Sequence, residues 1–249
     1  MNQKEYSVEI GGKTITAQFS DMSDQAHGSV ILRMGNTAVL ATAVMSEEKK
    51  EGINWFPLTV DYEERFYAAG QILGSRFVRR EGRPSEEAVL SARAVDRTVR
   101  PLFNSEIRNE IQVVITILSI DKDDPDILAV NATSLALATS DIPWNGPVSA
   151  VRIGTKNGEE EFIVNPTYPE RDNAHFDMIA CGKDDNINMI EVGGKEVSEN
   201  FTTDALKKAS QEIEKLQEWQ KKIVSEIGKE KRKIEIEKIN KEVITFFEK

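Results

Sequence analysis

Residues 111–120 read IQVVITILSI, and after a short acidic stretch residues 127–139 read ILAVNATSLALAT. The first segment is almost continuously apolar and β-branched, the pattern of a buried strand. The second is rich in Ala and Leu, the pattern of a buried helix. Both need cover on several sides, which a layered α+β core supplies. The first 60 residues read as paired strands. Val8 and Ile10 alternate with polar residues, Gly11-Gly12 suits a tight turn, and Ile15, Ala17 and Phe19 resume the alternation. Residues 28–32 and 37–44 form a second pair around Met34-Gly35-Asn36, and 56–62 reads as another strand. Residues 86–99 are predicted helical, with Ala88, Val89, Ala92, Val95 and Val99 on one stripe and Pro101 as the stop. Strands are expected again over 148–153, 161–164, 176–181 and 189–192.

The tail differs in kind. From Asp204, Leu206, Ala209, Ile213, Leu216, Ile223 and Ile227 mark an amphipathic helix, Gly228 interrupts it, and Ile236, Ile239, Val243 and Phe247 mark a second. Two apolar stripes of this length need a partner surface, either the body or a segment not in this chain. No internal repeat or low-complexity segment is present.

At 249 residues the chain suits one large domain with an appendage, and 39% hydrophobic residues suit a sizeable core. No run approaches the roughly 18–20 apolar residues of a membrane span. The polar start, Met1-Asn2-Gln3-Lys4-Glu5-Tyr6, carries no apolar export signal, so a soluble cytoplasmic protein is expected. A lone Cys181 excludes an internal disulfide and a cysteine-based zinc site.

Charge is distributed unevenly. The net charge is −10, yet residues 204–249 hold 12 Lys/Arg against 10 Asp/Glu, so residues 1–203 carry −12. Such a body does not coat nucleic acid over its whole surface; a local basic mouth fits better. Seven arginines fall between Arg76 and Arg100, six of them within Gly74-Ser75-Arg76-Phe77-Val78-Arg79-Arg80-Glu81-Gly82-Arg83-Pro84-Ser85-Glu86 and Asp96-Arg97-Thr98-Val99-Arg100-Pro101-Leu102-Phe103, with Arg93 between. Guanidinium forks take phosphates and neighbouring aromatic faces take bases, which points to RNA or a nucleotide. Two readings stay open here. The loop arginines either face an anion or pair with Glu81, Glu86 and Glu87. Arg93, Arg97 and Arg100, spaced four and three along one helix, either face RNA or form an ion-pair network with Asp96 and Asp61.

These residues resemble the bacterial polynucleotide phosphorylase family, specifically its first RNase PH-like domain. The resemblance rests on Phe66-Tyr67-Ala68-Ala69-Gly70, on the loop from Phe77 to Glu86, and on Asp96-Arg97-x-x-Arg100-Pro101-Leu102-Phe103. Asn131-Ala132-Thr133-Ser134-Leu135-Ala136-Leu137 and Ile142-Pro143-Trp144-Asn145-Gly146-Pro147 extend it over essentially residues 5–200. It implies an α+β fold of the RNase PH-like (ribosomal protein S5 domain 2-like) kind. Residues 1–203 would be a degenerate first copy, and 204–249 the start of an all-helical linker domain. Complete members continue into a second RNase PH-like domain and KH and S1 domains, so the chain reads as an amino-terminal fragment.

The resemblance also implies roles. In the family, paired aromatic or apolar residues and paired arginines sit at the aperture of a trimeric ring and guide single-stranded RNA. Phe77 would stack on a base; Val78, where a second aromatic is common, would weaken that stacking. Arg79 and Arg80 would track phosphates, with Arg83, Arg93, Arg97 and Arg100 extending the contact surface. The parent protein would be a phosphate-dependent 3′→5′ exoribonuclease and polyribonucleotide nucleotidyltransferase of mRNA degradation. It would be a homotrimer with possible RNA-degradation assembly partners, use inorganic phosphate as co-substrate, and bind Mg2+ in its second copy.

Active copies in the family present serines at a helix start for phosphate, and an Asp-x5-Asp-x-Lys pattern for metal and leaving group. By alignment on Ile142-Pro143, the serine positions hold Asp124, Pro125 and Asp126, and the second pattern holds Arg171, Asp177 and Ile179. Carboxylates repel phosphate, and one surviving aspartate is a poor magnesium site. No catalytic or metal-ligating residue is therefore assigned. Asp121, Asp123, Asp124 and Asp126 read as a turn capping the next helix, with a metal cluster as the alternative. His175 is a weak candidate ligand or base, and His27 reads as structural. Two other functions stay in view: a stand-alone RNase PH-type phosphorolytic nuclease, and a non-catalytic RNA-binding ring subunit. A fragment is expected to self-associate, or to leave its terminal helices mobile beyond Gly228.

Overall fold

The computed structural model describes residues 3–72, 74, 82–155, 161–172, 174–234 and 246. Phe77, Val78, Arg79 and Arg80 lie outside the described residues, as do Ile236, Ile239, Val243 and Phe247 of the expected second tail helix. Six strands form one sheet: β1 (Lys4–Ile10), β2 (Lys13–Phe19), β3 (Gly28–Met34), β4 (Thr37–Lys49), β5 (Leu58–Glu63) and β6 (Asn109–Ser119). Their order is β1-β2-β3-β4-β6-β5, antiparallel except for the parallel β5–β6 pair. The β1–β2 turn places Gly11 and Gly12 at φ of 58° and 76°, a left-handed pair that glycine adopts without strain. A second, antiparallel sheet has the order β10-β9-β7-β8, from β7 (Ser149–Thr155), β8 (Phe162–Val164), β9 (Phe176–Lys183) and β10 (Asn186–Gly194).

Four helices connect and cover the sheets among the described residues: α1 (Glu86–Val99), α2 (Pro125–Thr139), α3 (Tyr168–Arg171) and α4 (Glu199–Ile227). Ser85 caps α1 by accepting the Ala88 N–H at 3.0 Å. α2 packs between the sheets, against β3 and β4 on one side and β7 on the other, and every residue but Asp126 is buried. Its approach to β3 is so close that a Cβ on Gly28 would lie 2.0 Å from the Ala136 carbonyl oxygen. That approach leaves room for glycine alone.

Strand β6 departs from the expectation of full burial. Ile111, Val113, Ile115 and Ile117 are buried against the helices, whereas Val114, Thr116 and Leu118 on the other face are only partly covered. The reason is topological: α1 and α2 lie on one face of the six-stranded sheet.

The tail helix begins at Glu199, so the 203/204 division falls inside α4. Ala205, Ala209, Ile213, Leu216 and Ile223 of α4 join the same core as the sheets. Two buried glutamines fix it to the second sheet. Gln217 donates to the Pro147 carbonyl at 2.9 Å, and Gln220 donates to the Val148 carbonyl at 3.0 Å while accepting from Ser134 at 2.7 Å. After Gly228 the chain crosses the end of α2. Lys231 Nζ donates to the carbonyls of Leu137, Ala138 and Ser140 at 2.8, 3.0 and 2.7 Å, the Lys229 N–H donates to the Thr139 carbonyl at 3.0 Å, and Arg232 pairs with Asp141. The carbonyls that end α2 thereby find their donors in a distant segment.

Candidate functional site

The start of α2 is where the chemistry gathers. Asp124 is its N-cap, and one carboxylate oxygen accepts the Asp126 N–H at 2.9 Å. The other oxygen accepts from Arg152 Nη1 of β7 and from Arg171 Nη1 of α3, the latter at 2.9 Å. Arg152 also forks Asp177 of β9, with Nε and Nη2 at 2.7 and 2.6 Å from its two oxygens. Arg171 Nε lies 3.6 Å from Asp177 and is buried without a hydrogen-bond partner. The side chains of Asp124 and Arg152 are 4% and 9% exposed and those of Arg171 and Asp177 22% and 28%, so this two-by-two ion network is buried at its centre, open at one side and without net charge. Burial opposes the charge on Arg152, but the Asp177 fork and the Asp124 carboxylate outweigh it and raise its pKa.

Local structure holds each member in place. Asn165, in the left-handed region at φ 51°, brackets Arg152: its N–H donates to the Arg152 carbonyl at 2.7 Å and its side-chain oxygen accepts the Arg152 N–H at 2.9 Å. Lys13 ties this corner to the α2 turn, donating to Asp123 at 2.5 Å and to the Asn165 carbonyl at 2.7 Å. The short helix α3 docks on the same turn through the Tyr168 N–H and the Lys122 carbonyl, 2.9 Å apart. The Arg171 guanidinium then lies 5.3 Å from the Tyr168 ring centroid.

In front of the network opens a cleft of about 940 Å³, whose walls include Tyr62, Arg65, Phe66, Arg83, Asp126, Arg152, Tyr168, Arg171 and Ile179. Asp126 accepts a hydrogen bond from the Tyr62 hydroxyl at 2.9 Å. Burial, and then the neighbouring Asp124 charge, push its pKa up to about 6 against the hydrogen bonds from Ser91 and Tyr62. Burial and the Asp126 charge hold the Tyr62 phenol well above its usual range, so it stays a donor. Tyr62 and Asp126 thus satisfy one another at the cleft wall.

The predicted arginines separate into two kinds. Arg100, just past α1, forks Asp96 at 2.9 and 2.7 Å, donates to the Phe56 and Leu58 carbonyls at 3.3 and 3.0 Å, and lies over the Phe56 ring. It braces α1 against the β5 end of the sheet. Arg93 and Arg97 are exposed on α1 and make no ion pair among the described residues. Asp61, the partner considered for them, instead accepts from Gln112 at 2.9 Å. Arg83 is exposed at the rim of the cleft.

The aspartates of the α2 turn do not gather around a common point. Asp121 accepts from Asn36 at 2.9 Å, Asp123 pairs with Lys13, and Asp124 and Asp126 are engaged as described. No group of three or more metal-binding side chains occurs among the described residues. With two guanidinium groups on Asp124 and Asp177, the donor set does not fit a divalent cation. His175 Nδ1 lies 3.2 Å from the Thr155 hydroxyl, and His27 Nδ1 accepts the Met45 N–H at 3.2 Å. The central residue missed from sequence is Arg152. Its signal was available: a single arginine within the wholly buried strand SAVRIGT requires buried carboxylates around it.

Comparison with known proteins places this geometry in a family. The family model for the 3′ exoribonuclease family, domain 1, matches residues 11–143, and that for domain 2 matches residues 146–212. The network therefore joins the two matched segments, Asp124 from the first and Arg152, Arg171 and Asp177 from the second. The polyribonucleotide nucleotidyltransferase of Caldicellulosiruptor bescii is 44% identical over 93% of this chain and 33% of the relative. That of Heliobacterium modesticaldum is 43% identical over 96% of this chain, again 33% of the relative. The chain thus spans about a third of the length of the curated relatives it matches. Among solved structures, rice (Oryza sativa) Rrp46 superposes with a TM-score of 0.67 at 14% identity, covering 90% of this chain and 94% of that one. The Archaeoglobus fulgidus exosome with RNA bound to its active site gives 0.63 at 18% identity, covering 87% of each chain. These two establish the RNase PH-like fold. No described helix is long and apolar enough to cross a membrane. With both of its family models matched in order along one core, the chain belongs to the 3′ exoribonuclease family.

Proposed function

We propose that this chain is the first, non-catalytic RNase PH-like unit of a phosphorolytic 3′→5′ exoribonuclease and polyribonucleotide nucleotidyltransferase acting in cytoplasmic mRNA degradation. Its work is to guide single-stranded RNA and to build the ring, a homotrimer in the parent protein. Phosphate and Mg2+ are then handled by a second RNase PH-like copy. One observation carries the reading: at positions aligned with those that handle phosphate and metal in active copies, Asp124, Arg171 and Asp177 are engaged with one another and with Arg152. Phosphoryl transfer needs positive charge free to meet the transferring group, and in this network both guanidinium groups are held by carboxylates. The RNA side of the proposal rests on Arg83, Arg93 and Arg97, which are exposed, and on the sequence of Phe77, Val78, Arg79 and Arg80, which lie outside the described residues. Arg100 serves that surface indirectly, by holding α1 in place.

The experiment has two arms. Incubated with inorganic phosphate, magnesium and poly(A), the isolated chain is expected to release no nucleoside diphosphate above a buffer control. Release abolished by Asp177→Ala would overturn the non-catalytic assignment. In the second arm, Arg93→Ala/Arg97→Ala is expected to weaken single-stranded RNA binding and to lower the salt slope by ~0.7 for each phosphate no longer neutralised. Unchanged affinity and slope would remove α1 from the RNA surface.

A further inference from the structure

The Asp124 carboxylate receives the hydrogen bonds that a helix start and a pair of arginines ordinarily give to a bound oxyanion. One oxygen takes the Asp126 backbone N–H at 2.9 Å; the other takes Arg152 Nη1 and Arg171 Nη1. A further donor, Arg171 Nε, is buried beside them with no hydrogen-bond partner. Arg152 cannot swing away, because Asp177 holds its other edge at 2.7 and 2.6 Å. Removing the Asp124 carboxylate would leave two guanidinium groups facing one carboxylate, with four donors unpaired, Arg171 Nε among them. The space vacated would adjoin the cleft of about 940 Å³ whose wall includes Arg152 and Arg171, so a small solute can reach it.

We propose that Arg152, Arg171 and the first turn of α2 form an oxyanion site whose resident ligand is the chain's own Asp124. The site takes a tetrahedral anion such as inorganic phosphate or sulfate only when that carboxylate is removed. In the native chain it is closed by a tethered competitor, whose binding is intramolecular. The proposal shares the cleft with the functional reading above but makes no use of RNA, so the two fail in different assays.

Thermal unfolding in phosphate and in sulfate, each against chloride at matched ionic strength, tests it. The readout is the difference between variant and wild type, which cancels the general stabilisation these salts give any protein. Asp124→Ser keeps a side-chain oxygen for the Asp126 N–H. It is expected to unfold at lower temperature than wild type in chloride and to regain on the order of a few degrees, saturably, in phosphate or sulfate. Asp124→Ser/Arg171→Met is expected to lose that recovery, and wild type to show no saturable response. A wild type that responds as strongly as the variant, or a folded variant without a saturable response, overturns the proposal. If Asp124→Ser does not fold in chloride, folding induced by phosphate supports it. Failure to fold in phosphate, with a folded Asp124→Asn that is equally unresponsive, overturns it.

Discussion

Asp126 is a carboxylate whose charge the fold resists, because it is buried beside Asp124. Its carboxyl titrates near 3.8 when unperturbed and at about 6 when buried beside Asp124. Between those values the folded state keeps a proton that the unfolded state has released. Stability therefore falls as pH rises through this window, by about 3 kcal/mol at most. Asp126→Asn, whose side-chain oxygen can still accept from Tyr62, is expected to remove that decline. Urea unfolding across pH 4–8 checks it: the variant should match wild type near pH 4 and be the more stable above pH 6. An unaltered slope would mean that Asp126 is not the titrating group. At this scale the sequence was legible where chemistry is local. Asp124 as a helix cap follows from its position before Pro125, and the loss of the catalytic serines and lysine follows from alignment. The pairing of residues 124, 152, 171 and 177 does not, because a turn, two strands and a short helix from separate places must meet before it exists. Arg100 shows the same limit: spacing puts it on the side of Arg93 and Arg97, and only the approach of Phe56 and Leu58 turns it inward.

The elements were largely legible, since each carries its own period. The β1–β2 and β3–β4 hairpins, α1, α2 and the end of α4 at Gly228 all follow from alternation, capping residues and breakers. What periodicity could not reveal was exposure: β6 reads as covered on both faces, yet the helices cover one. Nor could it reveal how α2 ends. Its C-terminal carbonyls are satisfied from the segment after α4, with Lys231 supplying three hydrogen bonds. Hydrogen bonds from a charged donor to buried carbonyls are worth on the order of 1.5–3 kcal/mol. Lys231→Met should therefore destabilise the fold by ~2 kcal/mol or more and strip hydrogen-exchange protection from residues 229–234. A variant as stable as wild type, with those amides still protected, would show that water replaces the ammonium without cost.

For the molecule as a whole, several apolar side chains remain at the surface. Val89 and Leu90 on α1 are 48% and 61% exposed, and Ile190 and Val192 on β10, which packs against α1, are 45% and 48% exposed. Apolar residues gathered on neighbouring elements favour association. The isolated chain is expected to sediment as more than a 27.9 kDa monomer at tens of micromolar, and Val89→Glu/Leu90→Glu to shift it toward monomer. A strict monomer in both cases would mean that this face needs no partner.

The burial of α2 has an electrical consequence. An α-helix carries roughly half an elementary charge of opposite sign at each pole, and here little water is present to screen it. The Asp124 carboxylate stands at the positive pole and the Lys231 ammonium at the negative one, so the central helix is neutralised end to end by side chains. The two are supplied from very different distances. The first is adjacent in sequence, whereas the second lies 94 positions beyond Leu137. A polypeptide stopped at 228 would lack that cation, and the carbonyls at the end of α2 would need water in its place.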